Sequence, residues 1–173
     1  KSVFAGSILG KAQLAKIGDG LFHVGGDVSG SALTVKEGSM LIGGSLNVSG
    51  TTGLQEGTEL TVQTRMDSNI TTINNDAKLN LNGSENNVGN LTMAGKASMN
   101  LGLAANANVG MLTMTEESVI TVNQGNLAVS GSVDLLGSLQ GTGTLTVNDG
   151  VLTNPENIEA GQFLVNLKNG TSP

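Results

Sequence analysis

The residues best suited to acid–base or metal chemistry are a single histidine, His23 in LFHVGG, and fourteen carboxylates. A histidine that serves as a general base or a metal ligand needs partners to orient it or to complete the coordination shell. The chain holds no cysteine and no second histidine. His23 therefore reads as a residue of one strand, placed between Phe22 and Val24. No Gly-x-Ser-x-Gly segment and no Ser-His-Asp order stand out. The carboxylates are dispersed, and Glu56 with Glu59, or the adjacent Glu116 and Glu117, are the candidates for meeting a neighbouring carboxylate. GGDVSG (25–30) and IGDG (17–20) contain Gly-Asp turns, but the nine-residue Gly-rich calcium register never recurs, so turn geometry accounts for them. These residues point to no catalytic site, no cofactor and no metal, and the chain is expected not to be an enzyme.

The composition says what kind of scaffold must position them. Among 173 residues there are 26 Gly, 3 Phe, no Trp and no Tyr. A thick core usually relies on aromatic bulk. Here the apolar content is nearly all Leu, Val, Ile, Ala and Met in short runs, which suits many thin, similar layers. The net charge is −6, from 14 acidic and 8 basic residues. Without a Lys/Arg cluster or stacking aromatics, nucleic acid is excluded as a partner. No apolar run approaches the about 20 residues that span a bilayer, so no membrane insertion is expected of this segment.

NVGNLTM (87–93) and NVGMLTM (108–114) agree at six of seven positions with an offset of 21. A second series shares one shape, a small or turn residue followed by apolar-x-apolar: GDGLF, GSMLI, GTELTV, DAKLNL, KASMNL, ESVITV and GSLQG. Its anchors are Leu21, Leu41, Leu60, Leu79, Met99, Ile120 and Leu139, separated by 20, 19, 19, 20, 21 and 19 residues. A companion series, Ile70, Leu91, Leu112 and Val133, recurs every 21 residues. LNVSG, NLAVSG and TLTVNDG form a looser third set. Each period of about 20 residues thus carries two or three short strands, with Gly, Asn, Ser or Asp at the corners. Alternation within a strand buries one face and solvates the other. The constant spacing of like residues separates this chain from a hairpin meander, since coiling once per period stacks each strand in parallel on its predecessor.

The expected fold is all-β: a right-handed parallel β-helix of about eight coils of about 20 residues, a rod about 40 Å long. A left-handed helix, or an antiparallel sandwich or barrel, is the alternative. A single solenoid segment covers 1–173, with a partial or capping coil at 1–17, regular coils over 18–153 and an irregular end at 154–173. Within that end, Pro155 breaks the rhythm and one strand is expected at 162–167.

The same arithmetic predicts outward ladders. Asn80, Asn100 and Thr121 stack on one face; Thr92, Thr113 and Asp134 stack on another; Asn87 and Asn108 meet at a corner. It also sets Glu59 against Lys78 and Lys78 against Ser98, which suggests a surface charge pair. Asn and Thr also solvate a β-surface without further purpose. Five Asn-x-Ser/Thr sequons occur, a number near chance in so Asn-, Ser- and Thr-rich a chain.

LQGTGTLTVNDGVL (139–152), and with the same cadence ALTVKEGSMLIGGSLNVSG (32–50), resembles the autotransporter-associated β-strand repeat. The resemblance implies a passenger segment of a bacterial surface protein, a right-handed β-helix displayed outside the cell. No β-barrel translocator lies in this chain, so the secretion route is inferred. The expected function is a non-catalytic extracellular structural or adhesive rod. Its partners would be a host or neighbouring-cell surface molecule, protein or glycan, or other rods. A carbohydrate-active or carbohydrate-binding β-helix module is the alternative, and a self-assembling scaffold the second.

Overall fold

Short stretches of alternating apolar and polar residues, broken every few positions by turn formers, can bury their apolar side only by closing the chain around it. The computed structural model, which describes residues 1–159 and 163–168, shows how. The chain winds into a right-handed parallel β-helix of about eight coils. Every strand pairing among the described residues is parallel and joins one coil to the next.

Each regular coil has three faces. The first holds Ser2–Phe4, Leu21–Val24, Ser39–Ile42, Glu59–Val62, Lys78–Leu81, Ser98–Leu103 and the opening residues of Val119–Val129 and Ser138–Asn148. The second holds Val28–Gly30, the first halves of Ser45–Leu54, Arg65–Ile73, Glu85–Met93 and Asn106–Met114, the closing residues of Val119–Val129 and Ser138–Asn148, and finally Phe163–Lys168. The third holds Gln13–Lys16, Ala32–Val35, the second halves of those long strands, Val133–Asp134 and Leu152–Thr153.

The opening repeat has a direct cause. Leu91 pairs with Leu112, Thr92 with Thr113 and Met93 with Met114, in parallel, one coil apart. Inward residues form aliphatic columns, such as Leu60–Leu79–Met99–Ile120–Leu139 on the first face, all fully buried. A column of like side chains at one strand spacing packs without aromatic filler, which explains the missing Trp and Tyr.

Two anchors of the series from Leu21 to Leu139, and one of the companion series, face the other way from expectation. Leu41 lies over Thr61 on the outer side, and Met40 takes the inward place over Leu60. Likewise Phe22, not Leu21, pairs with Met40. In LFHV and SMLI three of four residues are apolar, so alternation alone leaves the inward pair open. Packing on the neighbouring coil selects Met40 with Ile42, which continue onto Leu60 and Val62. On the third face Ile70 is exposed and Thr71 points inward, paired with Leu91. Ile70 and Ile73 are three apart and cannot share one side of a strand. Ile73 holds its place between Leu54 and Met93, and Thr71 goes inside with it.

The buried hydroxyl is satisfied: Thr71 Oγ1 donates to the Val88 carbonyl at 2.7 Å. Nearby, Thr52 and Ser68 share a hydrogen bond of 3.0 Å, and Ser68 also donates to the Ile70 carbonyl. On the second face Asn86 stands in a column otherwise made of Val28, Leu46, Met66, Ala107 and Leu127. Its Oδ1 accepts from the Met66 N–H at 3.0 Å, and its Nδ2 donates to the carbonyls of Gly83 and Asn106. Among the described residues no buried side-chain polar atom lacks a partner, as the cost of burying one unpaired requires.

The corner between the third and first faces repeats in four successive coils. Thr58, Ala77, Ala97 and Ser118 each donate their N–H to the carbonyl three residues before, closing the same turn. All four are buried inside the bend, where only a small side chain fits. Left-handed backbone at Gly57, Asp76 and Gly95 (φ 72, 58 and 57°) makes the reversal in three of them.

At the start of the chain, Ser2–Phe4 and Gln13–Lys16 pair in register with the second coil, and Ile8 bridges Val28. Lys16 occupies an inward position beside Val35, and its ammonium donates to the carbonyls of Ile17 and Glu37. The region 154–159 forms a single 3-10 turn, Pro155–Asn157. The strand expected at 162–167 is seen as Phe163–Lys168; Gln162 lies outside the described residues.

Candidate functional site

The core is aliphatic and closed, so whatever the chain recognises meets the outward columns. On the first face, pairing sets Thr61, Asn80, Asn100, Thr121 and Gln140 in one column. Asn100 Nδ2 donates to Asn80 Oδ1 at 2.9 Å, and Asn80 Nδ2 donates to Thr61 Oγ1 at 3.2 Å and to Glu59 Oε1 at 3.0 Å. Gln140 extends the pattern by donating to Glu159. These side chains are half-buried, and Thr61, Asn80 and Asn100 are tied to one another. The expected pair of Glu59 with Lys78 does not form, although the two residues are in register. The reason is geometric: the Glu59 carboxylate reaches across to Asn80 instead. The ion pairs among the described residues are Arg65–Asp67 and Lys96–Glu117, each 3.8 Å and well exposed, hence worth little.

The third face is built differently. Thr34, Gly53, Thr72, Thr92 and Thr113 follow one another in register, and the pairing of Leu112 with Val133 carries the column on to Asp134 and Thr153. Among the described residues, the hydroxyls of Thr72, Thr92 and Thr113 have no protein partner, while Asp134 accepts from Asn154 at 2.6 Å. Asn87 and Asn108, expected at a corner, lie instead within the second-face strands, in register but not bonded to each other. Asn87 donates to Asp67 and accepts from the Gly89 N–H.

The corners hold a set of residues that the sequence reading missed. Asn75, Asn90 and Asn106 each turn Oδ1 toward the next coil and accept from the N–H of Lys96, Met111 and Asn126, at 2.8–3.0 Å. Asp27 does the same for Ser45, and Ser132 for Val151. Each side chain takes up a backbone N–H that the bend would leave unpaired. The available signal was an Asn, Asp or Ser at a corner position about 20 residues before a strand start.

The sites considered for chemistry stay apart. His23 lies half-buried on the outer side of the first face, between Val3 and Leu41 in register. Asp27 serves as a corner acceptor. Glu116 and Glu117 sit on an exposed turn, with Lys96 beside Glu117. Among the described residues no three His, Cys, Asp or Glu side chains converge. A cleft of about 490 Å³ lies at the first coil, lined by Lys1, Ser2, Lys16, Ile17 and Phe22 among others. It holds no carboxylate and no histidine.

Neither a protein-family model, nor a curated protein, nor a solved structure matches the chain.

Proposed function

We propose that the chain is a non-catalytic structural and adhesive segment of a bacterial surface protein, held outside the cell as a stiff rod. One observation supports this above others. The strand register runs from coil to coil through the whole described rod, and the polar side chains near its corners are engaged in holding one coil to the next. Such a stack transmits shape along its length and presents the same outer chemistry at each step. The resemblance of 139–152 to the autotransporter-associated repeat points the same way. So does a low-charge, cysteine-free sequence.

Two measurements test the reading. An antibody against the chain should label intact cells of the source organism, and external protease should remove the signal without lysis. Beads coated with the purified chain should adhere to cells or to arrayed glycans and matrix proteins, whereas beads coated with a Leu91→Asp chain should not. An epitope shielded until lysis would refute surface display. Release of reducing ends from a polysaccharide would turn the assignment to a carbohydrate-active module.

A further inference from the structure

The three faces differ in charge. Over four successive coils the third face is made from TTGLQ (51–55), ITTIN (70–74), NLTMA (90–94) and MLTMT (111–115), which contain no charged residue. On the same coils the first face carries Glu59 and Lys78, and the second carries Arg65, Asp67 and Glu85. The third face also exposes Ile70 and, more fully, Met111, with Leu136 and Val151 following on the next two coils. Between them run Thr72, Thr92 and Thr113 with free hydroxyls.

We infer that this face is a self-association surface, and that its partner is the same face of a second copy. Two arguments select a second copy over other occupants. Each chain carries a net charge of −6, so two rods repel except where neither presents charge. The threonines recur at the coil spacing of about 4.8 Å, and only a surface with that same period meets them at every step. A second rod has it by construction. Threonine suits such a contact because its methyl packs against Ile or Met while its hydroxyl both donates and accepts. A glycan surface would be expected to use aromatic platforms, and the chain has no Trp or Tyr.

The size of the face sets the strength. Over the four uncharged strands it is about 19 Å long and, at five residues wide, about 15 Å across. Pairing would bury about 600 Å² in total, below the usual range for stable complexes. The contact is therefore weak and reversible, and becomes effective where many rods stand side by side.

The inference rests on the rod reading only in requiring stacked coils, and circular dichroism and thermal melting report on that separately. Sedimentation equilibrium of the purified chain up to about 1 mM should show a mass rising with concentration toward the dimer, as a small, reversible contact requires. Added salt should tighten the pairing, because it screens the like charges. The folded Thr92→Lys/Thr113→Lys double variant should remain monomeric, and Asn108→Lys, on the exposed second face, should associate like the parent. Since the chain has no cysteine, a short bis-maleimide should cross-link Thr92→Cys at least five times faster than Asn108→Cys. A parent chain that stays monomeric at 1 mM overturns the inference. So does a folded lysine double variant that pairs normally, or equal cross-linking of the two cysteine variants. Glycan binding that depends on Thr92 in a monomeric chain would assign the face to a different occupant.

Discussion

The asparagine column of the first face and the threonine column of the third look alike in the sequence. Both recur once per coil, and neither carries a charge until Asp134 follows Thr113. In the structure they play opposite parts. Asn80 and Asn100 bond each other, with Thr61 and Glu59 drawn in, so their polar groups are engaged within the rod. The hydroxyls of Thr72, Thr92 and Thr113 have no such partner among the described residues and face outward. Asparagine carries a donor and an acceptor at opposite sides of a planar amide, so equal side chains one coil apart can join into a chain. A threonine hydroxyl lies closer to the backbone, and those of Thr72, Thr92 and Thr113 do not bond one another. An outward polar repeat can therefore hold a solenoid together, or it can leave hydrogen-bonding capacity free for something else.

Substitutions break or sharpen this contrast, beginning with the core that carries both columns. Leu91→Asp places a charge between Thr71 and Leu112 in a column that excludes water. It is expected to cost upward of about 4 kcal/mol and to abolish cooperative melting. Thr92→Asp, one residue along and exposed, should leave the melting temperature nearly unchanged. Equal loss in the two variants would show the inward and outward assignment to be wrong.

Asn86→Leu comes next. It removes the partner of the Met66 N–H and of the Gly83 and Asn106 carbonyls, and should lower stability in urea titration by about 2–4 kcal/mol. Gly89→Ala should cost about 1–3 kcal/mol in the same assay. Gly89 has φ 63°, and an added methyl would collide with the Asn69 carbonyl.

The smallest effects decide between the two columns themselves. Asn80→Ala should cost about 1 kcal/mol, and a double-mutant cycle with Asn100→Ala should show coupling of about 0.5 kcal/mol or more. The matching cycle of Thr92→Ala with Thr113→Ala should show none in the monomer. Coupling of similar size in both cycles would erase the distinction.

Much of the architecture was legible in the residues. From Leu60 onward the inward series of the first face is the one that spacing indicates, because ELTV, KLNL and ITVN alternate strictly and leave one choice of side. Asn80, Asn100 and Thr121 follow into register for the same reason, as do Thr92 and Thr113. Where the strand is apolar on both sides, as in LFHV and SMLI, or where apolar residues fall three apart, as at Ile70 and Ile73, alternation fails to choose. There the neighbouring coil decided.

The site was less legible than the fold. Period and alternation say that a side chain points outward, but not whether it finds a partner there. Glu59 and Lys78 stand in register as arithmetic expects, yet the carboxylate bonds Asn80, since reach and direction are properties of the placed side chain.

The sequence by itself determined that the chain coils with a period of about 20 residues, which residues stack upon which through most of the rod, and that the core is aliphatic. These depend on local alternation and on equal spacing, and both survive without any knowledge of contacts. The tertiary structure alone decided which side of the ambiguous strands is buried, where buried Thr71 and Asn86 find partners, which corner side chains tie coil to coil, and which polar face is left free. Each of these is a contact between residues about 20 apart in the chain, and its outcome depends on the distances between atoms that only the closed coil brings together.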